Sequence, residues 1–180
     1  MDIYKLKWTQ LEQGIFSLLC LRSGEKLSQR EIAKMLKVSP TAVANSLKKL
    51  EKDNLVKIEK LKTINFVSFN RDNHTAVKLK RAENLKNIYL SGLFDYLERE
   101  LAGSTVILFG SYSFGEDSQN SDIDIAVVER KSKTLNLEEY EKILNRKVNI
   151  NFYGSFKKIQ KHLRNNILNG IILHGSVNYE

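Results

Sequence analysis

Cysteine is almost absent from this sequence: Cys20 is the only one in 180 residues. That excludes an internal disulfide framework and any zinc cluster built on thiolates. Histidine is scarce too, and His74, His162 and His174 make no metal-binding pair at helical spacing. No apolar run approaches the roughly 20 residues that a membrane span needs. The longest, Ile15–Leu21, is already interrupted by Ser17. Met1-Asp2-Ile3-Tyr4-Lys5 lacks the apolar stretch and cleavage site of a signal peptide. The expectation is a soluble, cytoplasmic protein with no membrane partner. Repeats, low-complexity tracts and floppy linkers are missing as well, so any domain boundary runs through structured chain.

What is present is globular composition, 42% apolar and 28% charged, enough for one medium domain or two small ones. The net charge of +8 is unevenly spread. Residues 1–71 hold 14 Lys and Arg against 7 Asp and Glu, whereas residues 72–180 hold 15 against 14. A basic first part suits a polyanionic partner, though a basic surface that is merely solvated gives the same count.

Thr9-Gln10-Leu11-Glu12 and Ser28-Gln29-Arg30-Glu31 both have capping-box form, each followed by apolar residues at helical spacing. Ser39-Pro40 supplies an N-cap and a first-turn proline for a third helix, with Val43, Leu47 and Leu50 on its buried stripe. The short turn between the second and third helices is helix-turn-helix spacing. Leu55–Glu59 and Ile64–Asn70 then read as two strands about a basic turn, Lys60-Leu61-Lys62. Residues 8–70 therefore resemble a winged helix-turn-helix domain. The resemblance places the third helix in the major groove of duplex DNA and the wing on phosphate. The buried stripe leaves Thr41, Ala42, Asn45, Ser46 and Lys49 outward. Asn45 suits an adenine edge, and Lys48, Lys49, Lys57, Lys60 and Lys62 suit phosphates. A winged helix used for protein contact is the alternative.

Asn73–Ala102 is nearly all helix former except Ser91-Gly92, and Gly103 is a natural stop. It reads either as one helix ~45 Å long or as two helices broken at Ser91-Gly92. Leu85, Tyr89, Leu93, Tyr96 and Leu97 form its expected inner face.

Thr105–Phe109 is a short buried-strand pattern ending in Gly110-Ser111. After ten further residues, Asp122-Ile123-Asp124 leads into a second strand, Ile125–Val128. Two aspartates two apart on an extended chain face the same way, as a divalent-ion site requires. Glycine allows a phosphate close to the backbone, and Ser111 at a helix start offers a hydroxyl.

The order strand, Gly-Ser, ten residues, Asp-x-Asp, strand, spelled LFGSYSFGEDSQNSDIDIAVV, resembles the DNA polymerase β-like nucleotidyltransferase superfamily, in its minimal branch. The resemblance covers roughly residues 85–175. It implies an α+β chain: a winged helix-turn-helix over 1–71, a connecting helical region over 72–102, and a small mixed-sheet nucleotidyltransferase fold over 103–180. It implies that Gly110, Ser111 and Ser121 hold a nucleoside triphosphate such as ATP, and that Asp122 and Asp124 bind one or two Mg²⁺. The implied reaction passes a nucleoside monophosphate, AMP from ATP, to an acceptor hydroxyl. Relatives include antitoxins that modify a HEPN-type partner ribonuclease, and enzymes that modify aminoglycosides or nucleic acids. The minimal size leaves little room for a substrate domain. The expected acceptor is therefore a partner protein, such as a HEPN-type partner, or another acceptor, with a homodimer as the expected assembly.

Two positions depart from the family pattern. Asn149 stands where a third catalytic carboxylate is usual, in Arg146-Lys147-Val148-Asn149-Ile150. Glu138, Glu139 and Glu141 are the nearest possible replacements. Phe114 stands where relatives carry a cation, leaving Arg130, Lys131 or Lys147 to substitute. The alternative function is a DNA-binding regulator whose degenerate transferase domain only binds nucleotide. Gly154-Ser155 is read as the cap of a final helix with Phe156, Ile159, Leu163 and Ile167 inward, ending near Gly170.

Overall fold

The structure is a computed structural model and describes residues 7–177. The chain forms two compact units, Met1–Lys80 and Arg81–Glu180.

In the first unit, α1 (Gln10–Leu21) starts on the Thr9/Glu12 capping box and α2 (Gln29–Leu36) on the Ser28/Glu31 box. Both have the serine or threonine hydroxyl on an N3 amide and the glutamate returning to the cap N–H. The Ser28 amide bonded to it holds the Glu31 carboxyl below its ordinary range. Lys37, in the left-handed conformation, ends α2, and α3 (Pro40–Lys52) begins three residues later with Ser39 as cap. Ile15, Ile32, Val43, Leu47 and Leu50 are fully buried in one core. The wing is a hairpin of β2 (Val56–Leu61) and β3 (Ile64–Phe69), joined on the other side by a two-residue strand, β1 (Leu27–Ser28).

The hairpin is longer than the sequence pattern suggests. Leu61 pairs with Ile64, so Lys60 lies within β2 and the turn is Lys62-Thr63, with Lys62 at φ 55°. A two-residue loop needing positive φ is the tight hairpin form that suits strand twist. Asn70 also closes the base of the wing, its amide donating to the carbonyl and side-chain oxygens of Asn54.

The helical region is broken at Ser91-Gly92, giving α4 (His74–Leu90) and α5 (Leu93–Glu100). Gly92 takes φ 77°, while the Ser91 hydroxyl donates to Ile88 O and accepts from Leu93 N. Leu93 and Leu97 are buried as expected, but Tyr89 is exposed, edge-on to Phe94.

In the second unit, β4 (Thr105–Phe109), a five-residue helix α6 (Gly110–Phe114) and β5 (Ile123–Val128) reproduce the expected strand–turn–strand order. Then come α7 (Glu138–Leu144), β6 (Val148–Tyr153), a 3₁₀ turn over Phe156–Lys158, α8 (Lys161–Leu168) and β7 (Ile171–His174). The mixed sheet runs β6-β5-β4-β7, parallel between β5 and β6 and antiparallel elsewhere.

The end of the chain corrects the sequence reading. No single helix follows Gly154-Ser155; the expected inward residues are spread over a 3₁₀ turn (Phe156), the link after it (Ile159) and a shorter helix (Leu163, Ile167), and Ile171–His174 is a fourth strand beside β4. Gly170 permits that approach, since a Cβ there would meet Leu108 O at 2.3 Å. Among the described residues, no helix is long and apolar enough to cross a membrane.

Candidate functional site

The register of three strands assembles the site. Phe109, the last residue of β4, lies opposite Asp124 on β5, and Asp124 lies opposite Asn149 on β6. Gly110, Asp124 and Asn149 thus come together at one end of the sheet, with Asp122 one residue ahead of β5. Gly110 takes φ 74°, and a Cβ there would lie 2.8 Å from Asp124 Oδ2. Only glycine fits both the backbone angle and the space. Ser111, in the first turn of α6, is half-buried, and Asp122 and Asn149 are exposed.

Asn149 Nδ2 donates to Asp122 Oδ2 at 3.1 Å and to Asp124 Oδ1 at 3.4 Å. One partly positive amide group therefore sits where both carboxylates converge, the position a cation would take. That donor set fits a hard divalent ion such as Mg²⁺. Among the described residues, no group of three or more His, Cys, Asp or Glu is gathered as a metal site. Glu141 is committed elsewhere, accepting from Val148 N at 2.9 Å as β6 begins.

Ser121 is drawn into its own loop. Its hydroxyl accepts from Ser118 N at 3.0 Å and lies 3.2 Å from Ser118 Oγ. Of the cations considered as replacements at Phe114, Arg130 and Lys131 leave from the opposite end of β5, about 20 Å away for a six-residue strand. Arg130 there donates to Ala102 O. Lys147, exposed and directly ahead of β6, is the one at the site end.

Sequence reasoning overlooked the residue that braces this end of the sheet. Arg146 is buried, its side chain 2% exposed, and ion-paired at 2.9 Å with fully buried Asp117. Its Nη1 donates to the carbonyls of Ser118, Gln119 and Ser121 at 2.5, 3.2 and 2.8 Å. The guanidinium also lies over the Tyr112 ring, 5.4 Å from its centroid. Asp117 accepts in turn from Asn84 Nδ2, which also donates to Tyr112 O. Burial keeps the Tyr112 phenol protonated far into alkali, and its hydroxyl donates to Asn84 O. Arg146 and Asp117 together thus link α4, α6, the chain leading into β6 and the loop delivering Asp122. An Arg three residues before Asn149 was the available signal, but its partners in the loop ahead of β5 lie 25–29 residues away.

This strand order and glycine turn agree with the match of residues 90–174 to the family model described as "Nucleotidyltransferase domain". Residues 90–174 are a nucleotidyltransferase domain. Residues 18–57 match the model "Winged helix-turn-helix DNA-binding", so the chain joins a winged helix to that nucleotidyltransferase domain.

Comparison with curated proteins gives no match. Among solved structures, the zinc-responsive MarR family member Lactococcus lactis ZitR is 21% identical, with TM-score 0.40, over 57% of this chain and 69% of that one. A cysteine mutant of ZitR in complex with DNA gives 22% identity and TM-score 0.41, over 57% and 68%. A glutamate mutant gives 23% and 0.40, over 53% of this chain and 64% of its own length. At such scores the likeness carries nothing further for this chain.

On the winged helix, Thr41, Asn45 and Lys48 are exposed on α3, and Ser46 is half-buried. Lys48 Nζ donates to Asn45 Oδ1 at 3.3 Å. Lys60 and Lys62 project from the wing, both exposed. Lys49 instead turns toward α1, donating to Lys7 O at 2.5 Å and pairing with Glu12 at 3.5 Å. Lys57 is paired with Asp72, whose carboxyl it holds below the usual range.

Proposed function

We propose that the chain is a nucleotidyltransferase that moves AMP from ATP to a hydroxyl of a macromolecular acceptor, and that its winged helix binds duplex DNA. The observation that carries the transferase reading is the register aligning Gly110, Asp124 and Asn149 with Asp122 beside them. Asp122 and Asp124 would hold Mg²⁺, which neutralises charge on the triphosphate and orients it. Gly110 leaves room for phosphate oxygens against the backbone, and Ser111 supplies a hydroxyl at the start of α6. The acceptor oxygen forms a bond to the α-phosphorus as the bond to the β-phosphate oxygen breaks and pyrophosphate leaves. The acceptor proton goes to solvent, because an amide at 149 has no basic site for it. With 100 residues in the second unit, the acceptor is proposed to sit on another molecule, a protein such as a HEPN-type partner.

Incubation of the full chain with Mg²⁺ and α-labelled ATP, with a lysate as acceptor source, tests this reading. Label should appear on a macromolecule and disappear when Asp122 is replaced by Ala. Tight ATP binding without any labelled product would favour a DNA-binding regulator that senses nucleotide, the reading supported by the neutral Asn149.

The DNA face makes its own prediction. Affinity of the full chain for duplex DNA should fall steeply as salt rises. Lys60→Ala/Lys62→Ala should weaken all sequences alike and reduce the log–log salt slope by about 2. Asn45→Ala should relax preference at one base pair, worth about 1–3 kcal/mol. Lys49→Ala should do least, because its ammonium already serves Glu12 and Lys7 O. Binding titrations at several salt concentrations check all three. An unchanged slope in the wing variant would place DNA elsewhere.

A further inference from the structure

We propose that this site takes one divalent ion per bound nucleotide, and that the Asn149 amide occupies the place a second ion would need. The inference rests on the nucleotidyltransferase reading and specifies its metal content. Four carboxylate oxygens are available at the sheet end. The Asn149 Nδ2 group engages two of them, Asp122 Oδ2 and Asp124 Oδ1, at 3.1 and 3.4 Å. The other two are Asp122 Oδ1 and Asp124 Oδ2, and the latter lies against Gly110, where phosphate would enter.

Two carboxylates plus substrate phosphates are the usual complement for a single Mg²⁺, which keeps several of its waters. A pair of ions about 3.5–4 Å apart repel each other and need more negative charge between them. Here the site contributes two negative charges and a neutral amide. Glu141, the nearest glutamate in sequence to β6, is bonded to Val148 N. With its N–H groups turned to the aspartates, Asn149 offsets their mutual repulsion and holds both side chains converged. Turned through 180°, it offers one neutral oxygen and no charge. Asn149 is therefore a positioning residue that also sets the ion count.

The test counts ions rather than turnover. The full chain is saturated with an ATP analogue carrying an imido bridge between the α- and β-phosphates, which blocks transfer. Mn²⁺ is then titrated in place of Mg²⁺, and bound ions per bound nucleotide are read by electron paramagnetic resonance. The expected result is one ion in the parent, two in Asn149→Asp, and one, held more weakly, in Asn149→Ala. The alanine variant keeps the test alive if the new carboxylate unfolds the site. Two ions in the parent would overturn this inference and leave the transferase reading standing. One ion in both the parent and a folded Asn149→Asp would remove Asn149 as the determinant. No bound nucleotide in the parent would overturn the transferase reading itself, and this inference with it.

Discussion

Replacing both aspartates, Asp122→Ala/Asp124→Ala, should abolish metal-dependent ATP binding while leaving the fold intact. The two carboxylates are the groups that converge on Asn149 at the sheet end. Removing outer partners of a metal ligand typically costs 10–100-fold in affinity, so removing both ligands should cost more than about 100-fold. Stability should move the other way. Asp122 is exposed and Asp124 half-buried, and two like charges held close together destabilise the folded state. Calorimetry with Mg²⁺-ATP should show no resolvable heat in the variant, with a thermal midpoint equal to or above the parent's. Equal ATP affinity in the two proteins would remove these residues from the site. The same loss should follow in the parent when the ion is chelated.

The largest stability effect belongs to Arg146. Arg146→Met keeps much of the side-chain volume but takes the guanidinium away from Asp117, whose carboxylate is fully buried. It also releases three loop carbonyls that a single Nη1 satisfies. Breaking one side of a buried pair typically costs about 3–5 kcal/mol, mostly the desolvation of the charge left behind. The second unit should lose stability by that amount, read as faster hydrogen exchange at the amides of β4 and β5. The first unit should be untouched. Arg146→Met/Asp117→Leu should recover part of the loss, because the buried carboxylate is removed together with its guanidinium. A single substitution costing under about 1 kcal/mol would mean that water reaches Asp117 in the folded state.

How far the sequence could be read follows the range of the interactions involved. Both capping boxes, the Ser39-Pro40 start and the Val43/Leu47/Leu50 stripe are set within four to seven residues, and they stand in the structure as the spacing implies. Gly110-Ser111 and Asp122-Ile123-Asp124 were legible as strand ends for the same reason. Their convergence with Asn149 was inferred by resemblance, and it depends on a strand register that no local pattern encodes. The Asn73–Ala102 region was ambiguous because Ser91-Gly92 is compatible with either a weak helix interior or a break. β7 was missed because four residues carry too little alternation, and its partner β4 lies more than sixty residues earlier. Arg146 carries no local mark of its role, since a basic residue near a strand end is common. Its function depends on carbonyls brought to it by another loop.

The pairing of β7 with β4 has a consequence for how this protein is handled. β4 is buried along its whole length, Thr105 to Phe109, and β5 covers just one of its edges. Its other edge is satisfied by residues near the far end of the sequence, Ile171, Ile172 and His174. On the ribosome that edge stays open until Ile171–His174 have emerged, more than sixty residues after β4. Thr105-Val106-Ile107-Leu108-Phe109 is meanwhile an uncharged β-branched segment of the kind that recruits other chains. A version shortened after Asn169 should reach inclusion bodies rather than the supernatant.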